Sequence, residues 1–283
     1  MKIKIFYIFS FLFVTSCFNK NITSINIVET YLSGKFFTIT RLDDNFKKTK
    51  NFNKIWKNLS NDKFIPHFRL QNRTYEVIGA LEEYKNLFIV IEDDKGERLK
   101  KEIPSYRVID WPSYIVFEEV LKEAENIIGD TVWLNSIMEL EHFYTLSEYD
   151  FSRFEPVKVK GITLIQNFDS DYPIWLEVES FKESQKAFVR YNGKEGKPGF
   201  IDHYFSTSPI LKTTNKKFRR NILNRKVEIG MSERECRISV GNPSSINNTA
   251  SRHGIGKQYV YKKNNGKNIY YQFEYGKLVH INE

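Results

Sequence analysis

The chain has 283 residues, 43 Lys and Arg against 35 Asp and Glu, and hence a formal charge of +8. That length is too great for one small core and suits two or three domains. Two cysteines, Cys17 and Cys236, exclude a disulfide framework once Cys17 is committed elsewhere.

Residues 1–16 read as an export signal, with Lys2 and Lys4 ahead of an apolar run from Ile5 to Val14. The run is too short to be a stable membrane span. It ends in Val14-Thr15-Ser16-Cys17, which resembles the lipobox of bacterial lipoproteins. The resemblance implies cleavage after Ser16 and acylation of Cys17, with several acyl chains fixing the protein to a membrane. Phe18 rather than Asp follows the cysteine, which implies sorting to the outer membrane, facing the periplasm.

Residues 17–62 are expected to be a tether and lead-in, with a strand over Lys35–Ile39 and a short helix over Phe52–Leu59. From residue 63 the pattern is β. Residues 74–81 and 87–91 are aromatic and β-branched runs, followed by the hairpin turn Asp93-Asp94-Lys95-Gly96. A helix is expected over 113–128, its apolar face made by Ile115, Val116, Val120, Leu121, Ala124, Ile127 and Ile128. A second β region occupies 136–212, with strands near 157–162, 174–179 and 187–191. Phe64-Ile65-Pro66 matches Phe154-Glu155-Pro156, and the run 88–93 matches 175–180, so the first region (63–135) and the second are expected to be copies of one unit. Short strands joined by tight turns suit a partly open barrel, and both regions resemble the SH3-like modules of bacterial envelope proteins.

The charge is uneven. From Thr213 onward there are 14 Lys and Arg and 5 Asp and Glu, so the excess belongs to the C-terminal part, beginning with a basic linker over 213–227. In residues 228–283, Ser232 and Glu235 have capping-box spacing, Gly241 and Pro243 stop the helix, and two aromatic strands follow. Gly230, Met231, Ser232, Gly241, Pro243, Tyr259, Tyr261, Tyr271, Phe273, Gly276, Lys277 and Leu278 resemble the SmpA/OmlA family, the small lipoprotein subunit of the outer-membrane β-barrel assembly machinery. The resemblance implies a helix packed on a small antiparallel sheet, in the cell envelope. Alternation places Ile269, Tyr271, Phe273 and Tyr275 against that helix. Tyr270, Gln272 and Glu274 on the opposite face, with Tyr259 and Tyr261, are the expected partner-binding residues.

The whole chain is therefore expected to be mainly β with α+β parts: two SH3-like barrel regions bridged by a helix, then the module. No His-Glu-x-x-His, Cys-x-x-Cys, phosphate-loop or dinucleotide motif occurs, and His67, His142, His253 and His280 lack ligand spacing, so no metal or cofactor is expected. Asp202-His203 beside Ser206 lacks the strained turn that a serine nucleophile uses. Lys216, Lys217, Arg219 and Arg220 are candidates for an anionic lipid or protein surface, export arguing against nucleic acid. These readings point to a non-enzymatic binding or scaffold protein whose partners are the membrane, through Cys17, and an envelope protein. An inhibitor resembling the tandem-module β-lactamase inhibitors and an envelope polysaccharide hydrolase are the alternatives; paired carboxylates in a pocket would favour the latter.

Overall fold

The computed structural model describes residues 26–282 apart from 139, 170–171, 192, 194–203, 252–253 and 263–265. The expected signal segment, Cys17, Asp202, His203 and His253 lie outside the described residues. The chain is mainly β, 41% strand against 16% helix, in antiparallel sheets of which one curls into a half-barrel.

The first sheet holds β1 (Phe36–Ile39), β3 (Lys57–Asn58), β4 (Arg73–Glu83), β5 (Asn86–Asp93), β6 (Arg98–Ile103) and β7 (Ile115–Phe117), while β2 (Arg41–Leu42) leaves it and α1 (His67–Leu70) precedes β4. Its order is β3-β6-β5-β4-β1-β7. After α2 (Glu118–Glu125) come β8 (Thr131–Leu134), β9 (Phe143–Thr145), β10 (Pro156–Gln166), β11 (Ile174–Ser180), β12 (Lys186–Arg190) and β13 (Phe205–Ser206), ordered β13-β8-β10-β11-β12-β9. Read from the opposite edge this is the same path, with β3, β6, β5, β4, β1 and β7 answering to β9, β12, β11, β10, β8 and β13, all antiparallel.

The equivalence extends to single hydrogen bonds. Gly34 and Gly129, both at positive φ, donate to the carbonyls of Val77 and Val159 at 2.8 and 2.9 Å. Val77 and Val159 donate in return to Lys35 and Asp130. One residue later each long strand bulges, between Val77 and Gly79 in β4 and between Val159 and Gly161 in β10. Asn72 and Phe154, both left-handed, donate to Ile39 and Leu134; Thr40 and Asn135 donate to Tyr114 and Tyr204. At the far end of the hairpin, Arg73 is paired with Asp93, and the corresponding Glu155 accepts from Ser180 Oγ at 2.6 Å. The backbone plan is shared while the side-chain chemistry has diverged.

These registers support the expected match of 88–93 with 175–180 and correct the other one. Phe154 corresponds to Asn72, not Phe64. The residues before 62 are not merely a lead-in, since they supply β1 and β3. Phe52–Lys54 is one 3-10 turn rather than a helix running to Leu59. The helix expected over 113–128 is also divided, because Ile115–Phe117 pairs with β1 and only Glu118–Glu125 is α-helical. Ile115 packs into the first core and Val116 into the second, so successive residues are both apolar with a sheet's period of two. Helical spacing concealed a strand between two cores.

The two repeats are joined where β2 pairs in parallel with the end of β10, Arg41 and Leu42 opposite Ile165 and Gln166. Gln166 Nε2 also donates to the Ser113 carbonyl at 2.7 Å. The third unit comprises α3 (Arg219–Leu223), α4 (Glu233–Val240) and a four-stranded meander of β14 (Ser245–Ser251), β15 (Gly254–Lys262), β16 (Asn268–Glu274) and β17 (Lys277–Asn282).

The N-terminal segment crosses the first bulge. Val28 and Ala80 exchange hydrogen bonds of 2.8 Å over Gly79, where a Cβ would come within 2.5 Å of the Val28 carbonyl. At Gly161 a Cβ would meet only Glu177 Oε2, at an ordinary 3.5 Å. Gly79→Ala, at φ +154°, is predicted to cost about 1–3 kcal/mol, whereas Gly161→Ala should stay within about 0.5 kcal/mol of the parent. Thermal melts of the two variants decide this; equal melting temperatures would show that the crossing segment contributes nothing.

Candidate functional site

The C-terminal module is built from the residues that define its helix. Ser232 Oγ accepts from Glu235 N at 3.2 Å, and the Glu235 carboxylate accepts from Ser232 N at 2.9 Å, completing the capping box. Glu235 also accepts from Asn215 N at 2.7 Å, tying α4 to the segment that leads into α3. Burial raises its pKa, but the bonds from Ser232 and Asn215 outweigh that and hold the carboxyl below its ordinary 4.5. Gly241 leaves the helix at φ 88°. Cys236 is buried in the core, where burial and the neighbouring Glu235 and Glu233 push its thiol up to about 12. It is a packing residue and not a nucleophile at neutral pH.

Two of the expected contact residues turn toward the helix, Tyr259 fully buried and Tyr261 half-buried. Tyr259 is 1% exposed, and its hydroxyl donates to Glu233 Oε2 at 2.6 Å; Tyr261 donates to the Gly241 carbonyl at 3.0 Å and its ring packs on Tyr271. Both hydroxyls find partners on the helix, so aromatic residues with polar tips are accommodated inside a small core. Tyr271 and Phe273 face α4 as expected, and Ile269 packs beside them. Tyr275 does not: it forms the left-handed hairpin turn with Gly276 and is 79% exposed.

Tyr270, Gln272 and Glu274 lie on the other face and are half-buried. There Asn247, Gln258, Gln272 and His280 form one cross-strand row, and Gln272 Nε2 donates to Thr249 Oγ1 at 2.6 Å. This face is polar and, along that row, free of carboxylates and ammonium groups.

The stretch expected to be a basic linker is instead packed structure. Phe218 and Ile222 are buried in the module's core, Asn215 caps the turn at Lys216–Phe218, and Lys217 pairs with Glu228 at 3.1 Å. Apolar residues among the cations were the overlooked signal. Lys216, Lys217 and Arg220 still present their side chains outward, while Arg219 is half-buried.

Arg153, which no motif singled out, joins the module to the second repeat. Its Nε donates to Asn135 Oδ1 at 2.9 Å, Nη1 to the Ile222 carbonyl at 2.7 Å, and Nη2 to the carbonyls of Ile238 and Ser239. A cation at the C-terminal ends of α3 and α4 satisfies carbonyls that a helix leaves unpaired. Burial and nearby Arg225 lower its pKa to about 10, so it remains charged at neutral pH.

A cleft lies at the joint between the repeats. Its larger part, about 380 Å³, is lined by Phe52, Trp111, Tyr114, Asp110, Ser113 and Asp169 among others. A second cavity of about 270 Å³, reaching Asn53, His67, Phe68 and Gln71, shares Phe52 and Lys50 with the first. Phe52 meets Tyr114 edge to face at 5.9 Å, and Tyr114 meets His67 at 4.6 Å. His67 Nε2 donates to the Thr40 carbonyl at 2.9 Å, and burial lowers its pKa, keeping the imidazole neutral near pH 7. Lys50 pairs with Asp169, which also accepts from Ser113 Oγ at 3.0 Å. Lys101 Nζ donates to the Asp110 carbonyl at 2.6 Å. These residues come from four separate stretches of the chain, so no local motif announced them. Among the described residues no three His, Cys, Asp or Glu side chains converge as metal ligands, and no helix is long and apolar enough to cross a membrane.

Comparison with known proteins finds no matching family model, no matching curated protein and no matching solved structure.

Two substitutions on β16 test the assignment of faces. Phe273→Ala is predicted to cost about 3–5 kcal/mol, as for other buried phenylalanines, and Tyr270→Ala at most about 1 kcal/mol. Denaturant melts in which Tyr270→Ala is the more damaging would invert the faces. Glu235 supplies a pH test. Its folded pKa is depressed, so its contribution is complete above the unfolded value and is lost as pH falls through the folded one. Glu235→Gln should therefore flatten the loss of stability below about pH 4.5; an unchanged slope would refute the role given to its hydrogen bonds.

Proposed function

We propose that this chain is a lipid-anchored bacterial envelope protein, held at the outer membrane and facing the periplasm, that works as a binding or scaffold module rather than as an enzyme. The observation that carries this reading is Val14-Thr15-Ser16-Cys17 at the end of a short apolar run behind Lys2 and Lys4. The body of the chain is consistent with it. Within each repeat a bulged central strand lies between the first strand and a meander, with the last strand beyond the first, an order that supports the SH3-like reading. A helix pair followed by an antiparallel meander, with the capping box in place, supports the SmpA/OmlA-like reading of the last unit.

In this reading the polar face around Tyr270, Gln272 and Glu274 is the contact surface for an envelope protein. Tyr259 and Tyr261 are withdrawn from that surface. Lys216, Lys217 and Arg220 face an anionic lipid or protein surface, each contributing about 1 kcal/mol near such a surface.

The anchor is tested by metabolic labelling with a fatty acid. The parent chain should incorporate label and Cys17→Ser should not, remaining uncleaved after Ser16 because the thiol is the acyl acceptor. A mutant labelled as strongly as the parent would eliminate the lipoprotein reading.

A further inference from the structure

The cleft between the repeats has a composition that selects among ligands. Each cavity offers one accessible aromatic ring, half-buried Trp111 in the larger and exposed Phe68 in the smaller, while Phe52, shared by both, and Tyr114 are buried behind them. Its ammonium groups are already engaged. The Lys50 ammonium is held by Asp169, Lys47 by Asp44 at 2.8 Å, and Lys101 by backbone carbonyls. An anionic ligand would have to displace these partners, and a cation would meet Lys50 and Lys101 at the larger cavity. The rim that remains consists of hydrogen-bonding groups of both kinds: the Asp110 carboxylate, the acceptor lone pairs left on Asp169 and on the Ser113 hydroxyl that donates to it, and the Asn53 and Gln71 amides.

A neutral ligand with apolar ring faces and hydroxyls on its edges meets both demands. Ring C–H groups lie against aromatic side chains, and hydroxyls both donate to carboxylates and accept from amides. The volumes fall near the lower end of the small-ligand range. Because the two cavities adjoin across Phe52, one ring would occupy each side. We propose that this cleft is a saccharide-binding site for two consecutive sugar rings, uncharged at the portion bound. This deepens the binding role proposed above but does not depend on the anchor. Acylation can fail with sugar binding intact, and sugar binding can fail with acylation intact.

Full-length protein in a zwitterionic, sugar-free detergent would be titrated calorimetrically with chitobiose, cellobiose and maltose, and with glucose as a single ring. At least one disaccharide should bind saturably, and about tenfold or more tightly than glucose. Phe68→Ala and Asp110→Asn, one on each cavity, should each weaken that disaccharide by about tenfold. Both residues are exposed, Phe68 at 65%, so both variants should melt with the parent. The proposal is overturned if no disaccharide binds, if glucose binds as tightly, or if both variants retain parental affinity with normal melts. Tighter binding of benzoate than of every disaccharide would overturn it too, marking an anion site.

Discussion

At Val77, and again at Val159, the long central strand takes the N–H of a left-handed glycine and gives its own N–H to the residue that follows that glycine. Just beyond each valine the strand bulges, so its two halves pair in different registers with the hairpin partner. A strand bent in this way leaves its convex side without a continuous neighbour, and its buried N–H and C=O groups must still be satisfied. Gly34 and Gly129 do this because only a residue at ease at positive φ can turn the chain into the first strand at that point. The six-stranded order, the placement of β7 between two cores and the cleft at the joint all follow from completing this arrangement twice.

Completing it twice does not make the copies interchangeable. The first is crossed by the Val28 segment and carries Arg73 against Asp93; the second carries Glu155, Ser180 and Tyr149 in one buried hydrogen-bonded group. Beside Trp175, the fully buried Arg190 guanidinium lies 4.3 Å from the indole and donates to the Tyr172 carbonyl. Among the described residues each repeat buries two charged side chains, Asp93 and Lys100 in the first and Glu155 and Arg190 in the second, but the second buries more uncharged hydrogen-bonding ones. Arg153 extends that habit to the next unit, where it reads helix carbonyls directly. Such a joint is sensitive to geometry, because removing the guanidinium would leave several buried carbonyls unpaired at once.

Much of the β content was legible because alternation and β-branched runs report directly on half-buried strands, as at 87–91 and 174–179. The duplication was legible only where both copies kept apolar residues at the same register positions. It was invisible at Asn72 and Phe154, which share a backbone conformation but no side-chain property. The helix over 113–128 was overextended because Ile115 and Val116 serve different cores, a fact that depends on a sheet not yet assembled. Tyr259 and Tyr261 looked like surface residues because a hydroxyl's buried partner, here Glu233 or the Gly241 carbonyl, cannot be inferred from alternation. The cleft was hidden for a topological reason: β2 and β10 bring Lys50 beside Asp169 across more than a hundred residues of chain.

The crossing of Val28 over Gly79 also has a mechanical meaning. Whatever pulls on the chain from its N-terminal side is felt first, within the described structure, at the reciprocal pair between Val28 and Ala80. Two bonds sharing one load must yield together, and behind them Gly34 is tied to the same strand through Val77. Tension is thereby delivered into the longest strand of the first repeat and shared with its neighbours before it can reach the joint with β10. A sheet loaded at its interior strand resists peeling from an edge, and the units beyond are shielded from strain that enters at this end.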